Sequence, residues 1–474
     1  MPTSSSFRPA GVHAALGVEF FDPVHAVTFP EHILRYRNQN AAASVGLEKL
    51  DDGEWVDHFG RFRALPGSFS QPLALRYHGH QFRSYNPDLG DGRGFLFAQL
   101  FDDRGRLLDL GTKGSGTTPW SRGGDGRLTL KGGVREVLAT EMLEALGVYT
   151  SKSFSLIETG EALTRGDEPS PTRSSVLVRL NHSHIRIGTF QRLRFLDKTD
   201  EIGRLIDHSV QHYLPEVTAR GEPERSPAFL DAVSRRLAKT TAAWMVSGFV
   251  HGVLNTDNIN ITGESFDYGP WRFLPRLDPA FTAAYFDQTG LYAFGRQPDT
   301  MFWNLTRLAE CLLDFAPQPD LETVLRAFPP LVQDEFRTAL MRRLGLESLD
   351  LEADNALVAA AWRFLAVSEM PFERFFFDWF GGSDCGRSTP TGAPYSGEAF
   401  DAFRTAIAGH APRADIDFTH AYFRREGPCT MLYEDVEAIW APIAERDDWF
   451  LFDEKIAAIR EMGDALKLQP ARFP

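Results

Sequence analysis

Apolar residues at Val134, Val137, Leu138, Met142 and Leu146 recur three and four positions apart, which predicts a helix over 133–146 closed by Gly147. Just upstream, the two apolar runs of "GFLFAQLFDDRGRLLDLGTK" (94–113) flank Asp102-Asp103-Arg104-Gly105, the pattern of a β-hairpin whose second strand ends near Lys113. The runs "SVLVRL" (175–180) and "HIRIGTFQRLRF" (184–195) predict further strands, and "GDEPSPTRSS" reads as a loop. From about residue 203 the periodicity becomes helical. Ser226-Pro227 starts a helix that runs to about Val250, and further helices are expected near 298–316, 321–344, 353–368, 397–408 and 434–443. A small β-rich part followed by a larger helical part is an α+β plan.

The helix ending near Val250 leads directly into "HGVLNTDNINITGESFDYG" (251–269). Asp257 and Asp267 stand ten positions apart there, with Asn258 next to the first. "NINITGESFDYG" has the look of two short strands around Thr262-Gly263-Glu264. Such a hairpin would bring Asn258 and Asp267 together as oxygen ligands for a magnesium-like ion. Asp257 would remain to accept a proton from a hydroxyl. The same residues also suit a solvated turn, because Asp and Asn are common in Asx turns.

Composition narrows the partners. The chain has 474 residues, 43% hydrophobic and 24% charged, enough for a large core in two to four domains or lobes. Its formal net charge of −14 disfavours nucleic acid as a partner, so an anionic ligand needs a local cation cluster or a metal. Only three cysteines occur, Cys311, Cys385 and Cys429, with no metal-type spacing. No leader-like segment and no membrane-length apolar run is read from the sequence. A reducing, cytoplasmic setting without membrane insertion is the expectation.

Three glycine-rich pieces, "GDGRG" (90–94), "GTKGSG" (111–116) and "GGDGR" (123–127), can offer backbone amides to phosphate. Lys113 ends an apolar strand, and Glu136, 23 residues later on the predicted helix, could orient it. Arg93, Arg122, Arg179 and Arg186 flank these pieces, and arginine suits bidentate phosphate recognition. The pairs His78/His80 and His182/His184 have a spacing that zinc can use, but without nearby Cys or carboxylate partners packing or hydrogen bonding is the better reading. No G-x-S-x-G elbow is present.

The run "YHGHQF", "YNPDLGDGRG", "GTKGSGTTPWSRGGDGR", "VREVLATEMLEALGV", "VLVRLNHSHIRIGTF", "HGVLNTDNINITGESFDYGPW" and "LYAFGRQP" resembles the selenoprotein O family across roughly residues 77–310. The resemblance implies a two-lobed protein-kinase-like fold. The implied division is an N-terminal extension (1–65), a nucleotide-binding N-lobe (66–200), a helical C-lobe with the catalytic loop (201–345) and a C-terminal helical extension (346–474). It also implies protein AMPylation. AMP passes from ATP to a Ser, Thr or Tyr hydroxyl, pyrophosphate leaves, and Mg²⁺ or Mn²⁺ is required. The resemblance further implies that ATP lies inverted relative to kinases.

By motif position, Gly90, Gly92 and Arg93 match the first nucleotide-contacting loop, and Asp125 and Gly126 the second. Lys113 matches the phosphate-binding lysine, with Glu136 its helix partner. Arg179 and Arg186 match the arginines of the inverted triphosphate, Asn258 and Asp267 the metal ligands, and Asp257 the base. The implied partners are ATP and protein substrates.

Gly123 and "KGGVRE" depart from the family pattern, as does the C-terminal third. The segment "LKLQPARFP" has no cysteine, where the family carries a tail cysteine or selenocysteine, so thiol control through it is not expected. Transfer from another nucleotide, such as UMP transfer, or a silent ATP-binding scaffold stay open beside AMP transfer.

Overall fold

In the computed structural model, which describes residues 4–166, 168–219, 221–383 and 395–468, the 94–113 segment folds as the hairpin its pattern predicts. In chain order the strands are β1 (Arg8–Ala10), β2 (Phe21–Pro23), β3 (Ile33–Arg37), β4 (Leu73–Leu75), β5 (Gly79–Gln81), β6 (Ser84–Asn86), β7 (Leu96–Phe101), β8 (Leu107–Lys113), β9 (Leu128–Thr129), β10 (Lys152–Leu163), β11 (Thr172–Asn181), β12 (Phe249–Val250) and β13 (Arg272–Phe273). The helices are α1 (Gln39–Ser44), α2 (Asp52–Phe59), α3 (Leu130–Ala145), α4 (Ile187–Phe195), α5 (Thr199–Tyr213), α6 (Arg225–Val246), α7 (Gln297–Glu310), α8 (Gln318–Arg343), α9 (Leu351–Val367), α10 (Phe372–Trp379), α11 (Glu398–Ile407), α12 (Tyr433–Arg446) and α13 (Phe450–Leu466).

The main sheet is antiparallel, in the order β2-β4-β7-β8-β11-β10-β3, with β1 added on β7 and β9 on β11. The protein is therefore α+β. Residues 8–37 supply three of the strands, so the beginning of the described chain is built into this sheet. Side chains alternate across it. Val176, Val178 and Leu180 of β11 face a cluster with Trp55 and Phe59 of α2. Leu177 faces the other way, toward Val134, Val137 and Leu138 of α3. Leu177 pairs with Lys113 and Arg179 with Gly111, so Lys113 and Arg179 share the α3 side of the sheet.

Local chemistry explains the boundaries. The β7–β8 turn is fixed by Asp102, whose Oδ1 accepts from the backbone N–H groups of Arg104 (3.0 Å) and Arg106 (2.8 Å), while Gly105 takes a φ of 79°. Thr129 caps α3 by accepting from the Gly132 N–H, and Gly147, at φ 80°, follows its end. Asp51 and Glu54 form a capping box on α2.

Two expectations need correction. The 184–195 run is not a strand: after Ile185 it becomes α4, burying Ile187, Phe190 and Leu193 at three-residue spacing. The chain leaves the sheet at Asn181 and makes one antiparallel bridge, Arg186 to Asn260, before α4 begins. Nor does "NINITGESFDYG" form a hairpin with itself. Asn260 bridges to Arg186 and Ser265 to Thr150, so each half is held by a different neighbour. Cys385 and residues 469–474 lie outside the described residues.

Candidate functional site

The end of β8, the 89–94 and 120–127 loops, β11 and the 251–269 segment converge on a cleft of about 640 Å³. Seven cationic side chains line it (Arg93, Lys113, Arg122, Arg127, Arg165, Arg179 and Arg186) against four carboxylates (Asp91, Asp125, Asp257 and Asp267). A local excess of cations in a chain of net charge −14 marks an anion site.

Its centre is Asp267. Lys113 Nζ lies 2.9 Å from Asp267 Oδ1, Arg179 Nη1 3.3 Å from the same oxygen, and Arg186 Nη1 3.8 Å from Oδ2. Burial works against the charge on Asp267, but Lys113, Arg179 and Arg186 hold its carboxyl well below the usual carboxylate range. The residue adopts a left-handed backbone (φ 64°), which Asp tolerates better than most side chains. Lys113 also donates to Glu136, which α3 buries behind it. The strand lysine and the helix glutamate are thus joined directly.

Arg186 stands at the N-terminus of α4 and is 3% exposed. Its guanidinium sits over the rings of Tyr77 (4.3 Å) and Phe266 (5.0 Å). It donates from Nη1 to the Asp257 carbonyl (2.9 Å) and pairs with Asp91 at 3.4 Å. Asp257 lies on a 3₁₀ turn over Thr256–Asn258 and is 7% exposed. Its Oδ1 is buried without a hydrogen-bond partner, and burial pushes the carboxyl up to about 6 against the pull of Arg186. Gly79 packs so closely that an added Cβ would lie 2.9 Å from that oxygen.

Glu136 Oε2, Arg179 Nε and Arg186 Nε are likewise buried and unpartnered. Unmet polar atoms are rare in folded proteins, and four of them gather here.

The glycine pieces form the rim. Ser121 Oγ donates to the Gly92 carbonyl and Thr118 Oγ1 to the Asp91 carbonyl, joining the 89–94 and 116–126 loops. Trp120 lies against Gly90, where an added Cβ would meet its ring at 2.4 Å. Asp125 is exposed and paired with Arg165 (Nη1 to Oδ2, 2.8 Å).

Gly90, Gly92, Arg93, Lys113, Asp125, Gly126, Arg179, Arg186, Asp257 and Asp267 all line the cleft. Glu136 reaches it through Lys113. Asn258 is not among the lining residues; half-buried beside Asp257, it donates Nδ2 to the Val253 carbonyl (3.0 Å). Sequence reasoning missed Asp91, Tyr77 and Trp120. The position of Asp91 inside "GDGRG" was the available signal. The four histidines have other partners. His78 Nδ1 meets the Tyr85 hydroxyl at 2.8 Å, His80 Nδ1 meets Gln191 at 2.7 Å, His182 Nδ1 meets the Tyr149 hydroxyl at 2.6 Å, and His184 Nδ1 meets Asp109 at 3.1 Å.

The pattern of the family described as protein adenylyltransferase SelO matches residues 4–460. The chain belongs to this family. The match reaches well beyond residues 77–310 and takes in the C-terminal third, which motif reading had set apart. A protein nucleotidyltransferase YdiU of Synechocystis sp. is 44% identical over 466 residues, covering 94% of this chain and 96% of its own. One of Gloeobacter violaceus is 46% identical over 469 residues (96% and 95%), and one of Synechococcus elongatus 42% over 489 (98% and 98%). As a SelO member the protein is an enzyme of the nucleotidyltransferase class. Among the described residues no helix is long and apolar enough to cross a membrane.

Proposed function

We propose that the protein transfers AMP from ATP to Ser, Thr or Tyr hydroxyls of other proteins, in a kinase-like site that holds ATP inverted. The observation that carries this reading is that Asp257, whose buried Oδ1 has no hydrogen-bond partner, lines the same cleft as three cations gathered on Asp267. In this reading Lys113, Arg179 and Arg186 hold the two phosphates that depart, and the loops at Gly90–Arg93 and Asp125–Gly126 enclose them. Arg recognises such oxygens in bidentate fashion and Lys as a point charge.

In this reading the acceptor oxygen attacks the α-phosphorus, and the bond from that phosphorus to the bridging oxygen breaks. Pyrophosphate leaves with its electron pair onto the cations. The hydroxyl proton passes to the Asp257 carboxylate. Glu136 holds Lys113 toward the cleft. Asn258 and Asp267 offer a carboxamide and a carboxylate oxygen, a hard donor set that fits Mg²⁺ or Mn²⁺. Such an ion, when bound, supplies charge neutralisation on the phosphates. The reducing, cytoplasmic setting expected from the cysteine content is part of the proposal.

Two preparations of ATP, labelled on the α- or γ-phosphate, test it on purified protein with Mg²⁺ or Mn²⁺ and a cell extract. Protein label from the α-position alone, lost in Asp257→Ala, is the expected result. Label from the γ-position would mean kinase orientation and would remove the roles given to Arg179 and Arg186. The relatives' broader name, nucleotidyltransferase, makes α-labelled UTP the necessary parallel arm: stronger labelling from it moves the reading to UMP transfer.

A further inference from the structure

The two-residue turn between β5 and β6 is Phe82-Arg83, and both residues take positive φ, 49° and 64°. Hairpin turns of this kind are normally filled by Asn-Gly, because large side chains are strained there. Strain of this sort is kept where function needs it. The turn is also anchored to the site. Gln81, just before it, lines the cleft. The His80 N–H donates to Thr256 Oγ1 (2.7 Å), and the Phe82 N–H to Asn255 Oδ1 (3.1 Å), two residues before Asp257.

Beyond the turn, the ring of Phe82 meets Phe286 (5.9 Å) and Tyr292 (4.9 Å), and Phe286 meets Tyr285 (5.2 Å). Tyr285 is 82% exposed and Phe286 46%. Their loop is not slack: Asp287 is buried and accepts from the N–H groups of Leu291 (2.9 Å) and Tyr292 (2.8 Å). Arg83 is exposed, lies 5.6 Å over Trp303, and makes no ion pair among the described residues. An aromatic shelf and a cation with no ion pair among the described residues therefore stand on a hairpin tied to Asn255 and Thr256, next to Asp257 in the chain.

We infer that Phe82, Arg83, Tyr285 and Phe286 form the docking surface for the acceptor segment of the protein substrate, taking a large apolar side chain and a carboxylate near the modified hydroxyl. This rests on the AMP-transfer reading and deepens it. The surface adjoins the cleft through Gln81, and Arg83 supplies charge complementarity for an acidic residue. The strained turn places both groups where a hairpin ordinarily carries small residues.

The test uses synthetic peptides with a central Tyr or Thr, differing by Phe or Lys at one flanking position and Glu or Lys at another, with ATP labelled on the α-phosphate. Wild-type protein is expected to label the Phe/Glu peptide about five- to tenfold better than the Lys-substituted ones, the scale of a few lost contacts. Tyr285→Ala should erase the preference for Phe, and Arg83→Gly the preference for Glu, with ATP binding unchanged. Arg83→Gly places the favoured residue in the turn, so its melting temperature should not fall and misfolding cannot mimic the result. Equal labelling of all peptides by the wild type, or preferences that persist in both variants, overturn the docking surface. Label entering extract proteins but no peptide, equally in wild type and variants, also overturns it and leaves AMP transfer standing. Label entering nothing overturns the AMP-transfer reading and this inference with it.

Discussion

Lys113 Nζ sits 2.9 Å from Asp267 Oδ1, so the carboxylate proposed as a metal ligand neutralises the lysine proposed to hold phosphate. Arg179 and Arg186 share the same carboxylate. An incoming polyphosphate must compete with Asp267 for these cations unless a metal ion engages the carboxylate first. Nucleotide and metal are thereby coupled through one side chain.

That coupling predicts opposite effects of Asp267→Ala on binding and on chemistry. In the absence of divalent metal, pyrophosphate and ATP should bind the variant more tightly than the wild type, because the competing anion is gone. α-Phosphate labelling with metal present should fall by two orders of magnitude or more, roughly the loss of one strong electrostatic contact in a transition state. Calorimetric titration of metal-free protein with pyrophosphate checks the first part. Weaker binding by the variant would show that Asp267 does not compete for the phosphate cations.

As the proposed base, Asp257 should set a pH limb. Burial lifts its carboxyl to about 6, and a base must be ionised to accept a proton. kcat/KM, which reports the free enzyme, should therefore rise with pH toward about 6 and flatten above it. Asp257→Asn should lose about 10²- to 10⁴-fold in rate, the usual weight of general-base catalysis. It should also be more stable than the wild type at neutral pH, since it buries no charge. A flat profile from pH 5 to 7, as two assumed assay limits, would remove Asp257 as the titrating base.

Much of this was legible in the chain, and the failures have physical causes. The hairpin ending at Lys113 and the helix carrying Glu136 follow from periodicity, because each buries one clear apolar face. The helix read as 226–250 is α6, Arg225–Val246. By contrast, β10 escaped notice because Ser153, Ser155 and Thr159 are buried along with its apolar residues, blurring the alternation. The spacing of Ile185 and Ile187 looked like a strand, and Arg186 does bridge to Asn260 there, but the pairing ends after that one bridge and α4 follows. Asp91 stayed hidden because its role depends on Arg186, 95 residues away. Convergence at that distance leaves no local trace.

Glu264 offers a stability test away from the cleft. It is 6% exposed, accepts from the His182 N–H at 2.7 Å, and is pushed by burial up to about 8 from an ordinary value of 4.5. The folded protein therefore keeps a proton that the unfolded chain releases above 4.5. The contribution of Glu264 to stability should fall as pH rises from about 4.5 to about 8 and level off beyond. Glu264→Gln keeps the acceptor and removes the titration. At pH above 8 the variant should exceed the wild type by several kcal/mol, on the order of 4, with no such gain near pH 4.5. Urea midpoints measured across that range decide it; equal midpoints at all pH values would mean the carboxyl is ionised when folded.

The C-terminal helices bear on the site through α3. Arg460 of α13 donates to both carboxylate oxygens of Glu141 (2.9 and 2.7 Å), and Glu141 lies on the helix that carries Glu136. Tyr36 of β3 joins the same cluster, its hydroxyl 3.2 Å from Arg460 Nη2. Glu141 is 7% exposed, whereas the Arg460 side chain is 42% exposed, so solvent screens part of the pair. Arg460→Met should then lower stability by about 1–2 kcal/mol, below the cost of breaking a fully buried pair. If α13 also fixes α3 in register, the Lys113–Glu136 contact loosens and labelling falls several-fold with little change in the affinity for the protein acceptor. Melting temperature and α-phosphate labelling, measured on the same preparation, separate the two effects. A lower melting point with full activity would show that α13 stabilises the fold without setting the position of Glu136.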